Sequence, residues 1–132
     1  MVTHIFLRKI NRPRRSRMDD ELEWLCESLG FCRGRDIDSI SKQIVSCIMN
    51  PRYIEEGVTS EELARSLDMP LSRVNHHLRN LIDAGFVYRA KRKIYLRGGS
   101  VKSAVEELRK DADRIFNDLE QIAEEMDRAL FR

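Results

Sequence analysis

The chain has 132 residues, 42% apolar and 35% charged, enough for one compact core with more charged surface than the roughly 25% of an average globular domain. Six glycines and three prolines are too few for a turn-rich all-β fold, and three cysteines, an odd number, argue against a disulfide framework. No apolar run approaches the ~18 residues of a membrane span, and Ile5, Phe6 and Leu7 are too short a run for a signal-peptide core. The expectation is a soluble, cytoplasmic, mostly helical protein whose net charge of +2 hides strongly segregated blocks.

Residues 1–17 carry six Lys/Arg and no acid and read as a mobile basic arm, contacting a polyanion or simply solvated. Residues 18–35 are predicted as an N-terminal amphipathic helix and connector. Ser16 with Asp19 resembles a capping box, and Leu22, Leu25, Cys26 and Leu29 recur at helical spacing before Gly30. Phe31 to Arg35, with Gly34, form the connector.

Residues 36–98 read as one domain. A helix from about Ser39 to Met49 presents Ile40, Ile44, Val45 and Ile48 on one face and ends at Asn50-Pro51. A short helix follows, opened by the T-x-x-E box of Thr59 and Glu62, with Leu63, Ala64 and Leu67 on its packing face. Asp68, Met69 and Pro70 make a tight turn. The next helix, 71–84, has the core stripe Val74, Leu78, Leu81 and Ile82 and stops at Gly85. Two strand-like pieces, FVYRA and KIYLRG, are joined through Lys91, Arg92 and Lys93 and read as a small hairpin.

Residues 99–132 read as one long helix. Val101, Val105, Leu108, Ala112, Ile115, Leu119, Ile122, Met126 and Ala129 alternate steps of four and three, an unbroken heptad repeat. Phe116, Ala123 and Leu130 widen the stripe beyond a simple two-stranded seam. The fold class is therefore mainly α with a small β-hairpin wing: a winged helix-turn-helix domain flanked by an N-terminal helix and a long C-terminal coiled-coil-like helix.

With Val74 and Leu78 as the core direction, Ser72, His76, Arg79 and Asp83 of helix 71–84 point outward, and Arg73, Asn75 and Asn80 lie on the flanks. Arg suits guanine and Asn suits adenine in the major groove, and the first-turn N–H groups near Ser72 and Arg73 favour phosphate. The alternative is a solvated face that lacks acids. The hairpin adds Arg89, Lys91, Arg92 and Lys93, which suit a phosphate backbone or the adjacent minor groove; a merely solubilising turn seldom needs three consecutive cations.

The stretch TSEELARSLDMPLSRVNHHLRNLIDAGFVYR resembles the winged helix-turn-helix of the arsenic-repressor (ArsR-like) superfamily of transcription regulators. The resemblance rests on Ser60 to Leu67, Ser72 to Leu81 and Ala84 to Val87, and covers about 40 residues from Val58 to Leu96. It implies a homodimeric regulator that binds double-stranded DNA, with helix 71–84 in the major groove and the wing 89–94 on the backbone or minor groove. The chain has neither the Cys-x-Cys near the recognition region nor the His/Asp pairs on the terminal helix of that family's metal sensors. No metal and no cofactor is expected, and no effector is named by the sequence.

His76 and His77 are adjacent, about 100° apart around a helix, and two imidazoles alone are too few ligands for zinc. His77 reads as a packing or DNA-edge residue. Cys26, Cys32 and Cys47 read as small buried hydrophobes, with a redox pair of Cys26 and Cys32 as the alternative. The first and last helices are expected to form a two-fold dimer interface through Leu22, Leu25, Leu29, Leu108, Ile115, Phe116, Leu119, Ile122 and Met126, which would set two recognition helices about 34 Å apart. The alternative is a terminal helix folded back on its own domain. A winged helix that serves as a protein–protein interaction module in a larger assembly is the rival function. No nucleophile–base pair and no Gly-rich phosphate loop suggests an enzyme.

Overall fold

The computed structural model describes residues 2–31 and 39–132. Among them are six α-helices and one two-stranded hairpin: α1 (Met18–Ser28), α2 (Ile40–Ile48), α3 (Pro51–Glu56), α4 (Ser60–Leu67), α5 (Leu71–Asp83), β1 (Val87–Ala90), β2 (Lys93–Leu96) and α6 (Val101–Leu130). Cys32 and Gly34 lie outside the described residues, and with them the proposed pairing of Cys26 with Cys32.

Helix α2 is the hub. It touches α1, α3, α4, α5 and β2, and Ile40, Ile44, Val45 and Ile48 are all buried. Each such burial is worth about 1.5–3 kcal/mol. Around α2 the core is closed by Leu22 and Cys26 of α1, Leu63 of α4, Val74, Leu78 and Leu81 of α5, and Phe86, Val87, Ile94 and Leu96 of the hairpin region. Ala104 and Leu108 of α6 complete it. The predicted stripes of α2 and α5 are the ones that pack.

Three local expectations are corrected. Ser16 does not cap α1; the helix opens at Met18 with Arg17 in the cap position and no side-chain cap bond, while Asp19, Asp20 and Glu21 still face the positive end of the helix dipole. Pro51 does not simply end a helix. The Asn50 side chain accepts from the Arg52 N–H at 3.0 Å, and Pro51 is the first residue of α3, a position where its missing N–H costs nothing. Third, the N-terminal segment is docked along its first part. The Arg8 N–H donates to the Ser28 carbonyl at 2.9 Å and Trp24 Nε1 donates to the Ile10 carbonyl at 3.1 Å. The segment thus runs antiparallel to α1. Gly30, with φ +77°, lets Phe6 lie against it; a Cβ there would be 2.5 Å from Phe6 Cδ1.

The first three turns of α6 pack on the chain. Ser100 caps the helix, its Oγ accepting from the Ser103 N–H at 3.0 Å. Beyond Ile115 every residue of α6 is exposed, including Phe116, Leu119, Ile122, Met126 and Leu130. No described helix is long and apolar enough to cross a membrane.

Candidate nucleic-acid interface

Helices α4 and α5 form the centre of the candidate site. Thr59 fixes the start of α4: its Oγ1 accepts from the Glu62 N–H at 3.1 Å and its hydroxyl donates to the Glu62 carboxylate at 3.1 Å. Leu63 is fully buried, and Ala64 and Leu67 are packed against the core. A helix of eight residues cannot stand alone in water, so this packing is what holds α4. Asp68 ends it in the left-handed region at φ 49°, a conformation Asp tolerates better than most residues. The chain then turns through Met69 and Pro70 into α5, which packs on both α4 and α2. His77 reaches back to α2, with Nδ1 3.1 Å from the buried Ser41 Oγ. That bond ties α5 to α2 in the rotation its buried stripe sets.

With Val74, Leu78 and Leu81 buried, the outer side of α5 follows. Ser72, Arg73, His76, Arg79 and Asn80 are exposed, and Asn75 is half-buried. Its Oδ1 has no hydrogen-bond partner among the described residues. Gly85, at φ +81°, reverses the chain, and β1 packs on α5. The hairpin pairs Val87 with Leu96, Tyr88 with Tyr95, Arg89 with Ile94 and Ala90 with Lys93. Val58 adds an antiparallel bridge to Ile94, so the approach to α4 forms a short third edge of the wing. Sequence reasoning missed it because a single bridging residue has no periodicity.

The tip of the wing is tighter than expected. Lys93 belongs to β2, and only Lys91 and Arg92 form the turn. Both have positive φ, 50° and 67°. That is the two-residue hairpin geometry that Asn-Gly fills without strain. Arg89, Lys91 and Arg92 are exposed, whereas the Lys93 Nζ donates to the Glu56 carbonyl at 3.2 Å. Tyr88 stacks on Tyr95 with ring centroids 5.4 Å apart. Among the described residues Arg73, Arg79, Arg89, Lys91 and Arg92 form no ion pair.

This is a winged helix-turn-helix. Residues 52–88 match the family model described as a helix-turn-helix domain, a segment that runs from α3 through α4 and α5 into the wing. No curated protein and no solved structure matches the chain.

A cluster that sequence reading did not reveal braces the helix-turn-helix against α6. Arg97, just after β2, donates to both oxygens of the buried Asp111, at 2.5 and 3.3 Å, and to the Gly85 carbonyl at 3.3 Å. Arg114 donates to Asp111 at 2.6 Å. These hydrogen bonds, led by that from Arg97, hold the Asp111 carboxyl below its ordinary range, and its own burial opposes them only in part. Elsewhere, burial pushes the Cys47 thiol up, away from the thiolate that redox chemistry needs. No group of three or more His, Cys, Asp or Glu is placed to hold a metal among the described residues. His4, Phe6, Phe31, His76, His77 and Asn80 are among the residues around a cavity of about 410 Å³ beside α5.

Of the residues assigned to a dimer seam, Leu22 and Leu108 are buried within the chain itself. Leu25, Leu29 and Ile115 are partly covered. Phe116, Leu119, Ile122 and Met126 are open.

Proposed function

We propose that the protein is an ArsR-like transcription regulator that binds double-stranded DNA as a homodimer. Helix α5 enters the major groove, where Arg73, Asn75, His76, Arg79 and Asn80 meet base edges and Ser72 meets phosphate. Arg89, Lys91 and Arg92 clamp the backbone or the neighbouring minor groove, with Lys93 behind them. The reading is carried by one observation: the exposed side of α5 and the wing that follows it bear five cations with no ion pair among the described residues. Their charge is available to a polyanion. The organisation that goes with it is an arm at 1–17, an N-terminal helix and connector at 18–35, a DNA-binding domain at 36–98 and a dimerisation helix at 99–132.

The test is fluorescence anisotropy with the duplex upstream of the protein's own gene, beside a shuffled duplex of equal length, at several salt concentrations. A preference of about a thousandfold or more for the native duplex and a steep salt slope are expected. Replacing Arg73 and Arg79 by Ala should remove most of the affinity. Absence of binding at low salt would overturn the regulator and favour a protein-interaction module.

A further inference from the structure

The distal half of α6 presents an apolar row with no cover in the chain. Phe116, Leu119, Ile122, Met126 and Leu130 are each more than half exposed. Contiguous apolar surface of this kind marks an interface. Its chemistry on either side of the row is uneven. In the heptad register set by Leu119 and Ile122, one flank carries Phe116, Ala123 and Leu130, and the other carries Asp118 and Glu125. Beyond Ile115 the helix holds five acids and one base, Arg128, which is already paired with Glu124 at 2.6 Å.

Two copies of α6 cannot satisfy each other alone. Side by side in parallel, the acidic flank of one faces the apolar flank of the other. Antiparallel, acid faces acid. Either way Asp118 and Glu125 lack a cationic partner, and in the antiparallel pair like charges at close range oppose the pairing. The flank is therefore open to a further element that brings positive charge. The chain has one of matching size: Arg12, Arg14, Arg15 and Arg17, with Lys9, all exposed and none in an ion pair among the described residues. Leu7 beside them is 65% exposed and Met18 67%, so the strip is apolar as well as cationic. It is also held in place, because Arg8 and Ile10 are bonded to α1.

We infer that the basic N-terminal strip of one copy lies on the acidic flank of α6 of the second copy, and that this contact, not DNA, is the strip's main role. The inference rests on the homodimer reading above. It makes the interface a reciprocal one, strip to helix and helix to strip, as two-fold symmetry requires.

The experiment is sedimentation of the full chain over a concentration series at low and high salt. One variant carries Arg12, Arg14, Arg15 and Arg17 changed to Glu. A second carries Asp118 and Glu125 changed to Lys, and a third carries both sets. All six sites are exposed, and circular dichroism checks that each variant folds. Each single set should weaken the dimer by about tenfold or more, and the combined set should recover most of the loss. In the wild type, a carbodiimide should join Lys9 of one copy to an α6 carboxylate of the other. A wild-type monomer would overturn both this inference and the homodimer. A dimer indifferent to either charge set would overturn this inference alone. If the arginine set weakens DNA binding while the dimer stands, the strip is a DNA contact and the inference falls.

Discussion

Asp111, buried on α6, accepts from Arg97 at the end of the wing, and the same guanidinium holds the carbonyl of Gly85 at the end of α5. One side chain therefore joins the proposed reading helix, the wing and the long helix. Removing one partner of a buried pair strands the other. We expect Asp111→Asn to cost about 2–3 kcal/mol, discounted because Arg97 is partly exposed. Chemical denaturation of the variant beside wild type measures it, and a loss below a few tenths would refute the brace.

The same carboxyl gives a pH signature. Its folded pKa lies below the unfolded value of about 3.9. Between the two values the unfolded chain binds the proton first, so this stabilisation is complete above the unfolded value and fades as pH falls through the folded one. Stability curves taken from pH 5 down to pH 2 should be steeper for wild type than for Asp111→Asn. Parallel curves would show that the carboxyl titrates alike in both states.

The wing tip holds Lys91 and Arg92 at positive φ, which costs non-glycine residues about 1 kcal/mol or more each. Replacing the pair by Asn-Gly should raise the melting temperature by roughly 4 °C or more. The same change should weaken DNA binding and flatten its salt dependence by about two phosphate contacts. A variant that is more stable yet binds as before would remove the tip from the interface.

Thr59→Ala removes the acceptor for the Glu62 N–H and should cost about 1 kcal/mol. Because α4 supports α5, affinity for DNA should fall with stability, not independently of it. Titrating DNA well below the melting temperature separates the two.

Gly30→Ala should cost about 1–2 kcal/mol, since the position has positive φ and the new Cβ would press on Phe6. Limited proteolysis should then cut within residues 8–17 faster than in wild type. Equal rates would mean that Phe6 does not anchor the segment.

Much of this molecule was legible in its residues, for identifiable reasons. Val74, Leu78 and Leu81 fix the buried side of α5 by period alone, and the exposed side follows by exclusion. Thr59 and Glu62 announced α4 through cap chemistry. What escaped has no local period. The Arg97–Asp111 pair spans fourteen residues and two elements. The N-terminal segment docks through backbone carbonyls and one indole, so its composition said only that it was basic. Pro51 punctuates the chain in two ways, and its role at the start of α3 depended on the Asn50 side chain. Lys93 looked like its neighbours until the register paired it with Ala90 and turned its Nζ to Glu56.

Gly98 and Gly99, both at positive φ, sit where the wing gives way to the long helix. Left to themselves they would be a swivel. Arg97, next to them, helps to latch it, with Ala104 and Leu108 packed in the core. The helix is a rod of about 45 Å, so ten degrees of play at its root would carry the far end sideways by roughly 8 Å, wider than the minor groove of DNA. The guanidinium of Arg97, together with the buried Ala104 and Leu108, sets the aim of everything beyond Ile115.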